Sequence, residues 1–348
     1  MPDMAQATSP GRVNLIGEHT DYNGGMVLPA ALSVSLTAKI TPRADDALHI
    51  RAASFGPPAI RSFGEPAGGN WADPAAGALI EARRLGLLPG GVDAEITSDI
   101  PPGAGLSSSA ALIVTLLKAA RSLAASDISD VDIALAARRV ENDYIGVPCG
   151  IMDQMAVALA TPGQAMALDT LTLDHALVPL PRSHAMVVIH SGIRRNLNEG
   201  RYAIRKNECD RAKQALGAEH LCLLDPAGID AASGIDDTAR RRARHCSTEH
   251  RRVISAVAAL RQNDIAEFGR LMNESHGSMR DDFDMSLPAI DALVDTAVAL
   301  GATGARLTGG GFGGCIVACV EKTARQNWLR ALVAAHPQAF YVDEVSGS

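Results

Sequence analysis

Apolar residues recur along the chain with two different periods, and each period predicts one type of element. Alternation over 92–96 predicts a half-buried strand, and helical spacing over 133–144 predicts an amphipathic helix with Ser129 and Asp132 at capping positions. The same reasoning predicts helices over 108–124, 151–159, 201–216 and 291–300, and strands within 27–40, 187–190 and 316–320. Because helices and strands alternate throughout, we predict a mixed α and β protein.

Composition narrows the class of protein further. The chain has 348 residues, of which 47% are apolar and 3% aromatic, so it can bury an aliphatic core in one large or two medium domains. This composition excludes a disordered or collagen-like protein. A weak break in composition at 177–183, with two prolines, predicts a boundary between domains 1–180 and 181–348.

The charge balance excludes a protein that coats nucleic acid. The net charge is −7, whereas a nucleic-acid binder needs a basic face. We interpret the arginine cluster at 240–244 as the solvated face of a helix.

The chain also shows no signal for a membrane or for export. Its apolar runs are of strand length, below the roughly 18 residues of a membrane span, and 1–10 has no signal-peptide pattern. The 6 cysteines form no Cys-x-x-Cys pair, so we expect reduced, mostly buried thiols. We therefore expect a cytoplasmic protein with no membrane partner and, lacking an obvious exposed apolar stripe, a monomer.

A glycine- and serine-rich segment at 101–111 has the chemistry of a phosphate cradle. It lies between a predicted strand and a predicted helix, where free backbone N–H groups and the helix dipole favour an anion. Its three consecutive serines add hydroxyl donors and one candidate magnesium ligand. The segment is not a Walker A loop, because no Gly-Lys-Ser/Thr follows the glycines. The alternative is a helix start with serine caps.

A second segment, 11–25, places several polar side chains in a short loop bounded by glycines. Glu18 and Asp21 can accept hydrogen bonds from vicinal sugar hydroxyls, and His19 can donate or accept. Arg12 adds a fixed charge with forked donors. The alternative is a charged surface turn.

Two carboxylates lie on neighbouring predicted helices. One of Glu141 and Asp153 could bind magnesium with a serine hydroxyl, and the other could accept a proton from an attacking hydroxyl. The alternatives are an exposed helix residue for Glu141 and, for Asp153, an acid favoured by the helix dipole.

A third glycine-rich segment lies at 307–315. Five glycines fall in the six positions 309–314, at a considerable cost in backbone entropy. Such a loop usually lets the backbone lie against a ligand or against another backbone, and a flexible hinge is the alternative.

Together these segments resemble the galactokinase family, sugar 1-kinases of the GHMP kinase superfamily. The segment 11–22 is similar to the sugar-recognition motif of that family, 102–111 to its phosphate loop, and 308–315 to its third motif. The residues 150–154 and those around Tyr202 fit as well, so the resemblance covers nearly the whole chain. Fewer residues precede Arg12 than is usual in the family, which affects the expected packing of the first strand more than the chemistry.

The resemblance implies a fold and an activity. The fold would be α+β and two-lobed, with a ribosomal-protein-S5-domain-2-like lobe at 1–180 and a ferredoxin-like lobe at 181–348, and with nucleotide and sugar between them. The activity would be transfer of the ATP γ-phosphoryl group to the anomeric hydroxyl of galactose. Mg²⁺ would accompany ATP as cofactor.

The resemblance also implies roles for individual residues. Asp153 would be the catalytic base, with Arg12 orienting and stabilising. Sugar contacts would come from Glu18, His19, Thr20, Asp21, Gly150, Asp153 and Tyr202. The phosphates would be held by Gly103, Ala104, Gly105, Leu106, Ser107, Ser108 and Ser109. Ser109 and Glu141 would bind the metal.

One alternative within the enzyme class is a related kinase for galacturonic acid, L-arabinose or N-acetylgalactosamine. A uronic acid would need a cation near its carboxylate, and the sequence does not show whether Arg194 or Arg195 reaches it. Tyr202 favours a neutral C6 hydroxyl.

Two further alternatives belong to other classes. A galactose- and ATP-sensing regulator on the same scaffold would lack part of the serine-rich stretch, whereas here 107–111 is intact and Asp153 is present. A lyase-like decarboxylase of the superfamily would not need the acidic loop at 18–21.

Overall fold

The structure is a computed structural model that describes residues 2–53, 55–101, 103–193 and 200–347. Pro102 of the phosphate-loop motif, Arg194 and Arg195 lie outside these residues. The strands are β1 Ala5–Asn14, β2 Met26–Val27, β3 Pro29–Pro42, β4 Ala47–Arg51, β5 Ala59–Ser62, β6 Val92–Ser98, β7 Gln164–Asp169, β8 His175–Pro179, β9 His184–His190, β10 Gly304–Leu307, β11 Cys315–Glu321 and β12 Phe340–Val345. The helices are α1 Asp73–Arg84, α2 Ser108–Ala124, α3 Asp130–Arg139, α4 Met152–Leu159, α5 Arg201–Leu216, α6 Pro226–Ala231, α7 Asp237–Arg261, α8 Ile265–Asp281, α9 Pro288–Ala299 and α10 Arg325–Ala335, with a π-helical turn at Val140–Ile145 and a 3₁₀ turn at Leu221–Leu223.

By their contacts the residues divide into two units. The first consists of Met1–Arg12, Ser33–Pro101 and Ser107–Leu159, and the second consists of Val13–Leu32, Pro102–Leu106 and Ala160–Ser348. The predicted boundary between 1–180 and 181–348 stays a prediction.

The first unit combines a sheet with four helices. Strand β6 pairs antiparallel with β3 and parallel with β4, and β5 pairs antiparallel with β4. Helix α2 contacts α1, α3 and α4. Because α2 is apolar on nearly all sides, it can lie at the centre of this core, and its apolar residues from Ala110 to Leu117 are buried.

The helix predicted over 133–144 is interrupted. Ser129 caps α3 by accepting a hydrogen bond from Asp132 N at 3.1 Å, which confirms the predicted cap, but α3 ends at Arg139. The chain then widens into the π-helical turn Val140–Ile145 and stops at Gly146, whose φ of +81° ends a helix readily. The wider turn changes the direction of Glu141, a residue that helical periodicity cannot place correctly.

The second unit contains an antiparallel sheet in the order β10-β11-β9-β12. Helices α5 to α9 follow β9 along the chain. Strands β10 and β11 pair directly with each other, and α10 leads into β12. Counted along the chain, the strands therefore lie in the order second, third, first, fourth, which is the ferredoxin-like arrangement. The separate strands β2, β7 and β8 also belong to this unit.

Aliphatic and aromatic side chains fill the core of the second unit. Ile189 and Ile316 are neighbours in adjacent strands, and both are buried with Phe283 and Trp328. This core uses mainly aliphatic residues, as the composition predicts.

The interpretation of 240–244 as a solvated face is wrong for Arg242. Its side chain is 2% exposed, Nε donates to Glu208 Oε2 at 2.7 Å, and NH1 donates to the Asp282 carbonyl at 2.6 Å. A buried guanidinium needs such partners, and a charge pattern in the sequence does not show them.

Five of the six cysteines are buried, and Cys149 is half-buried. The prediction that the cysteines are mostly buried is thereby confirmed, and their reduced state stays a prediction. Among the residues that the structure describes, no helix combines the length and the apolar character needed to cross a bilayer.

Candidate active site

Arg12 and Asp153 form a forked ion pair in the first unit. Arg12 Nε donates to Asp153 Oδ1 at 2.8 Å, and NH2 donates to Oδ2 at 2.7 Å. Arg12 is 4% exposed, whereas the side chain of Asp153 is 32% exposed. The fork fixes the plane of the carboxylate and leaves part of it open to a ligand.

Ser107 joins this pair from the start of α2. It stands at the N-cap position with a φ of +61°, yet its hydroxyl makes no capping bond. The hydroxyl instead donates to Asp153 Oδ2 at 2.5 Å. The structure therefore brings a serine of the predicted phosphate loop together with the predicted base.

Glu141 lies in the π-helical turn and collects donors from neighbouring segments. Its Oε2 accepts hydrogen bonds from Gln154 Nε2 at 2.5 Å and from Cys149 Sγ at 3.1 Å. Burial raises the pKa of Glu141, against the lowering effect of its polar neighbours Cys149, Ser109 and Gln154. The two predicted metal ligands, Ser109 and Glu141, are thus close enough for the hydroxyl to lower the pKa of the carboxyl.

These two side chains fit a magnesium site by their chemistry. Mg²⁺ takes oxygen ligands, keeps several waters and uses few protein carboxylates when phosphates supply the rest. A carboxylate near a hydroxyl at the start of a helix meets that requirement. Within the described ranges there is no group of three or more His, Cys, Asp or Glu side chains that could hold a metal alone.

Sequence reasoning missed Gln154 and Cys149. Both lie within or beside the 150–154 motif, so their position next to Asp153 was the available signal. The π-helical turn, which often marks a functional site, became visible only in the structure.

The remaining predicted site residues of the first unit are Gly150 and Ser108. Gly150 is buried and shortly precedes α4, and Ser108 is the first residue of α2 and partly buried. In the second unit, Gly103 and Gly105 have φ values of +73° and +76°, which favour glycine, while Ala104 and Leu106 are each 1% exposed.

Residues 17–22 are here called the His19 loop. Two of them, His19 and Tyr22, belong to an aromatic cluster in the second unit. The ring of His19 lies 4.5 Å from that of Phe283, 5.3 Å from that of Tyr202 and 5.7 Å from that of Tyr22, centroid to centroid. His19 Nδ1 and the Tyr22 hydroxyl are 2.6 Å apart. His19 has a φ of +61°, an unusual conformation for a non-glycine residue, and such strain often occurs at functional sites.

Hydrogen bonds to the backbone hold the loop in shape. The Thr20 hydroxyl lies 2.9 Å from the Gly17 carbonyl and 2.8 Å from the Met26 carbonyl. The Thr20 hydroxyl thereby links the loop to the start of β2, while Asp21 beside it is half-buried. Burial raises the pKa of Tyr22 well above its usual value, so its hydroxyl stays protonated.

Glu18 connects the His19 loop to the third glycine-rich segment. Its carboxylate accepts hydrogen bonds from Gly309 N, from the Thr308 hydroxyl at 3.2 Å and from Asn14 Nδ2. Glu18 is 2% exposed. Gly309 has a φ of +79°, a conformation that favours glycine, and its backbone N–H lies against the Glu18 carboxylate.

Three family models match the chain. The galactokinase galactose-binding signature matches residues 2–42, the GHMP kinases N terminal domain matches 72–161, and the GHMP kinases C terminal domain matches 256–338. Two similar relatives are the galactokinases of Roseiflexus sp. (strain RS-1) and Streptomyces coelicolor. The first is 42% identical over 95% of this chain and 87% of its own length, and the second is 40% identical over 90% and 84%.

Solved structures with the same fold include galactokinase of Lactococcus lactis complexed with galactose. Its TM-score is 0.93 at 30% identity, and the match covers 99% of this chain and 94% of that one. Mevalonate kinase matches with a TM-score of 0.72 at 18% identity, over 98% of this chain and 99% of that one, which is a likeness of fold alone. The predicted α+β class with two GHMP kinase domains is confirmed.

Proposed function

The chain belongs to the galactokinase family and is thus a sugar kinase, as its sequence predicts, and we propose that it transfers the ATP γ-phosphoryl group to the anomeric hydroxyl of D-galactose. The observation that carries the proposal is the forked Arg12–Asp153 pair. It holds a carboxylate in a fixed plane with part of its surface exposed. A carboxylate held in this way suits proton removal from a sugar hydroxyl.

Asp153 acts as the base in this proposal. The anomeric oxygen bonds to the γ-phosphorus, the bond from the γ-phosphorus to the β–γ bridging oxygen breaks, and ADP leaves with that electron pair. The hydroxyl proton passes to an Asp153 carboxylate oxygen. Because the transition state of phosphoryl transfer is loose, the main task of Arg12 is to orient the acceptor and stabilise charge.

Ser107 has one hydroxyl proton and therefore one hydrogen bond to donate. In the structure it donates to Asp153 Oδ2. We propose that the hydroxyl turns to a phosphate oxygen when ATP binds, so that Oδ2, which still accepts from Arg12 NH2, can also accept from the sugar hydroxyl. Binding of ATP thereby completes the site for the acceptor.

The rest of the phosphate site comprises residues 103–109 with their backbone N–H groups and serine hydroxyls. Ser109 and Glu141 would hold Mg²⁺, with Gln154 and Cys149 orienting the Glu141 carboxylate. When bound, Mg²⁺ neutralises charge on the transferring phosphates.

The sugar would be read by Glu18, His19, Thr20, Asp21, Gly150, Asp153 and Tyr202. Asp21 is half-buried, and Tyr202 is half-buried beside the ring of His19. The lobes 1–180 and 181–348, the monomeric state and the cytoplasmic location likewise stay predictions.

The test is ADP release with ATP and Mg²⁺ for five sugars side by side: galactose, galacturonic acid, L-arabinose, N-acetylgalactosamine and glucose. We expect strong turnover with galactose and its loss in Asp153→Asn. Turnover with another sugar alone would reassign Tyr202 and its neighbours. Binding of ATP and galactose without any turnover would show a sensing regulator instead.

A further inference from the structure

We propose that Glu249 and Arg306 are positioning residues that hold the His19 loop in its sugar-binding form, an inference that rests on the proposed function. Neither lies in the loop, and neither was singled out by its sequence context. Both are fully buried, with exposures of 0%. The inference rests on the contacts that their charged groups make with the loop from two separate elements.

Arg306 bridges two carboxylates from its position in β10. Its NH2 lies 3.5 Å from Glu18 Oε2 and 3.6 Å from Glu249 Oε1. Its NH1 also points to the Asn14 carbonyl at 3.4 Å. A buried guanidinium between two buried carboxylates fixes both of them, because neither charge can be left without a partner in the interior.

Glu249 holds the first residue of the loop, Gly17, from its position in α7. Its Oε1 accepts a hydrogen bond from the backbone N–H of Gly17 at 2.9 Å and from the Ser275 hydroxyl at 2.6 Å. Its Oε2 accepts from Arg252 Nε at 2.7 Å. Burial alone would raise the pKa of Glu249, but Arg252 and Arg306 lower it to about 2, so the carboxylate is charged at neutral pH.

The backbone of Gly17 explains why such a partner is needed. Its φ is +106°, and a Cβ there would lie 2.9 Å from the Met26 carbonyl oxygen. A side chain at position 17 would therefore clash with the neighbouring backbone, and in the conformation that glycine allows, the charged Glu249 carboxylate accepts from the N–H and stabilises it.

The four charged groups form one network. Two carboxylates, Glu18 and Glu249, face two guanidinium groups, Arg252 and Arg306, so their formal charges cancel. The network fixes the Gly17 amide and the Glu18 side chain at the start of the loop. His245 Nε2 adds a contact of 3.1 Å to the Glu18 carbonyl.

Glu249→Gln tests the inference. Glutamine keeps the shape and can still accept from Gly17 N, but it removes the charge that faces the two guanidinium groups. We expect the KM for galactose to rise about tenfold, with kcat and the KM for ATP each within about threefold of wild type. In the absence of ATP, the rise in melting temperature that galactose produces should shrink accordingly.

Two further variants keep the test decisive. Ser275→Ala removes only the hydroxyl that donates to Glu249, so it provides a milder change in the same direction if Glu249→Gln does not fold. Asp73→Asn is the matched control, because Asp73 forms a buried pair with Arg61 at 2.7 Å in the first unit, outside the proposed site. Its melting temperature should fall, while its KM for galactose should not change.

The inference is overturned if the Glu249 and Ser275 variants show the KM of the control. It is also overturned if kcat or the KM for ATP changes as much as the KM for galactose, because the effect would then be general. If the wild-type chain itself neither binds nor phosphorylates galactose, the proposed function is wrong and this inference fails with it. Wild-type turnover with unchanged variants is the separate result that refutes the positioning role alone.

Discussion

Replacing Arg12 by lysine tests the forked pair, because lysine keeps the charge and loses the geometry. The guanidinium donates to both oxygens of Asp153, at 2.8 and 2.7 Å, and an ammonium group cannot reproduce this planar pair of bonds. A hydrogen bond to a charged group contributes about 1.5–3 kcal/mol, so losing one of the two should cost about that amount. Since 1.4 kcal/mol is about a factor of ten, we expect kcat to fall roughly 10- to 100-fold.

The chain contains a matched control for this substitution. Arg43 makes the same fork to Asp45, with Nε to Oδ1 at 2.8 Å and NH2 to Oδ2 at 2.7 Å, but the Asp45 side chain is 54% exposed. Exposed ion pairs contribute about 0–1 kcal/mol to stability. Because Arg43 is also not one of the proposed site residues, Arg43→Lys should leave kcat unchanged. The assay is steady-state ADP release with galactose, ATP and Mg²⁺, with the melting temperature of each variant recorded. Equal kcat values for Arg12→Lys and wild type would refute the role of the fork.

Three other substitutions have defined outcomes. Glu141→Gln should raise the Mg²⁺ concentration for half-maximal ADP release by at least about tenfold, and an unchanged value would exclude it as a ligand. Gly17→Ala should lower the free energy of unfolding in urea by more than the about 1–3 kcal/mol of backbone strain, because the new Cβ would also clash. Gly86 has a φ of +74° with open space around it, so Gly86→Ala should lower this free energy by no more than the strain alone. Equal losses in the two variants would contradict the backbone clash. Burial lowers the pKa of His245 from 6.5 to about 4, so as pH falls from 6.5 to 4 the unfolded chain takes up a proton that the folded chain does not. The free energy of unfolding should therefore fall by up to about 1.4 kcal/mol per pH unit because of His245. In His245→Gln, the slope of this free energy against pH, measured by denaturant titrations, should be smaller by that amount.

Local patterns of apolar and polar residues predicted many of the helices and strands, because the period of such a pattern depends only on which side of the element is buried. The helix over 201–216 has the predicted bounds, and α2 agrees at 108–124. The π-helical turn at Val140–Ile145 was not predictable, since its widening does not change the order of apolar and polar residues. Helix α7 was recognised only as a charged face near its start.

The candidate site shows the same division. The motifs identified Arg12, Asp153 and Glu18 as candidate site residues from their neighbours in sequence. The contact of Ser107 with Asp153 joins residues 46 apart, and Gly17 meets Glu249 across 232 residues. Such pairings arise from tertiary packing, and a single sequence carries no signal for Glu249 because its helix spacing is that of an ordinary polar residue.

The hydrogen bond from Gly309 N to Glu18 has a consequence for the time at which the enzyme becomes competent during synthesis. The two residues are 291 positions apart, and a ribosome adds about 5–20 residues per second, so Glu18 is made about 15–60 s before its partner. Until then the beginning of the chain lacks the backbone amide that its carboxylate accepts from. A product of premature termination before residue 309 cannot form this bond, however well its earlier part folds.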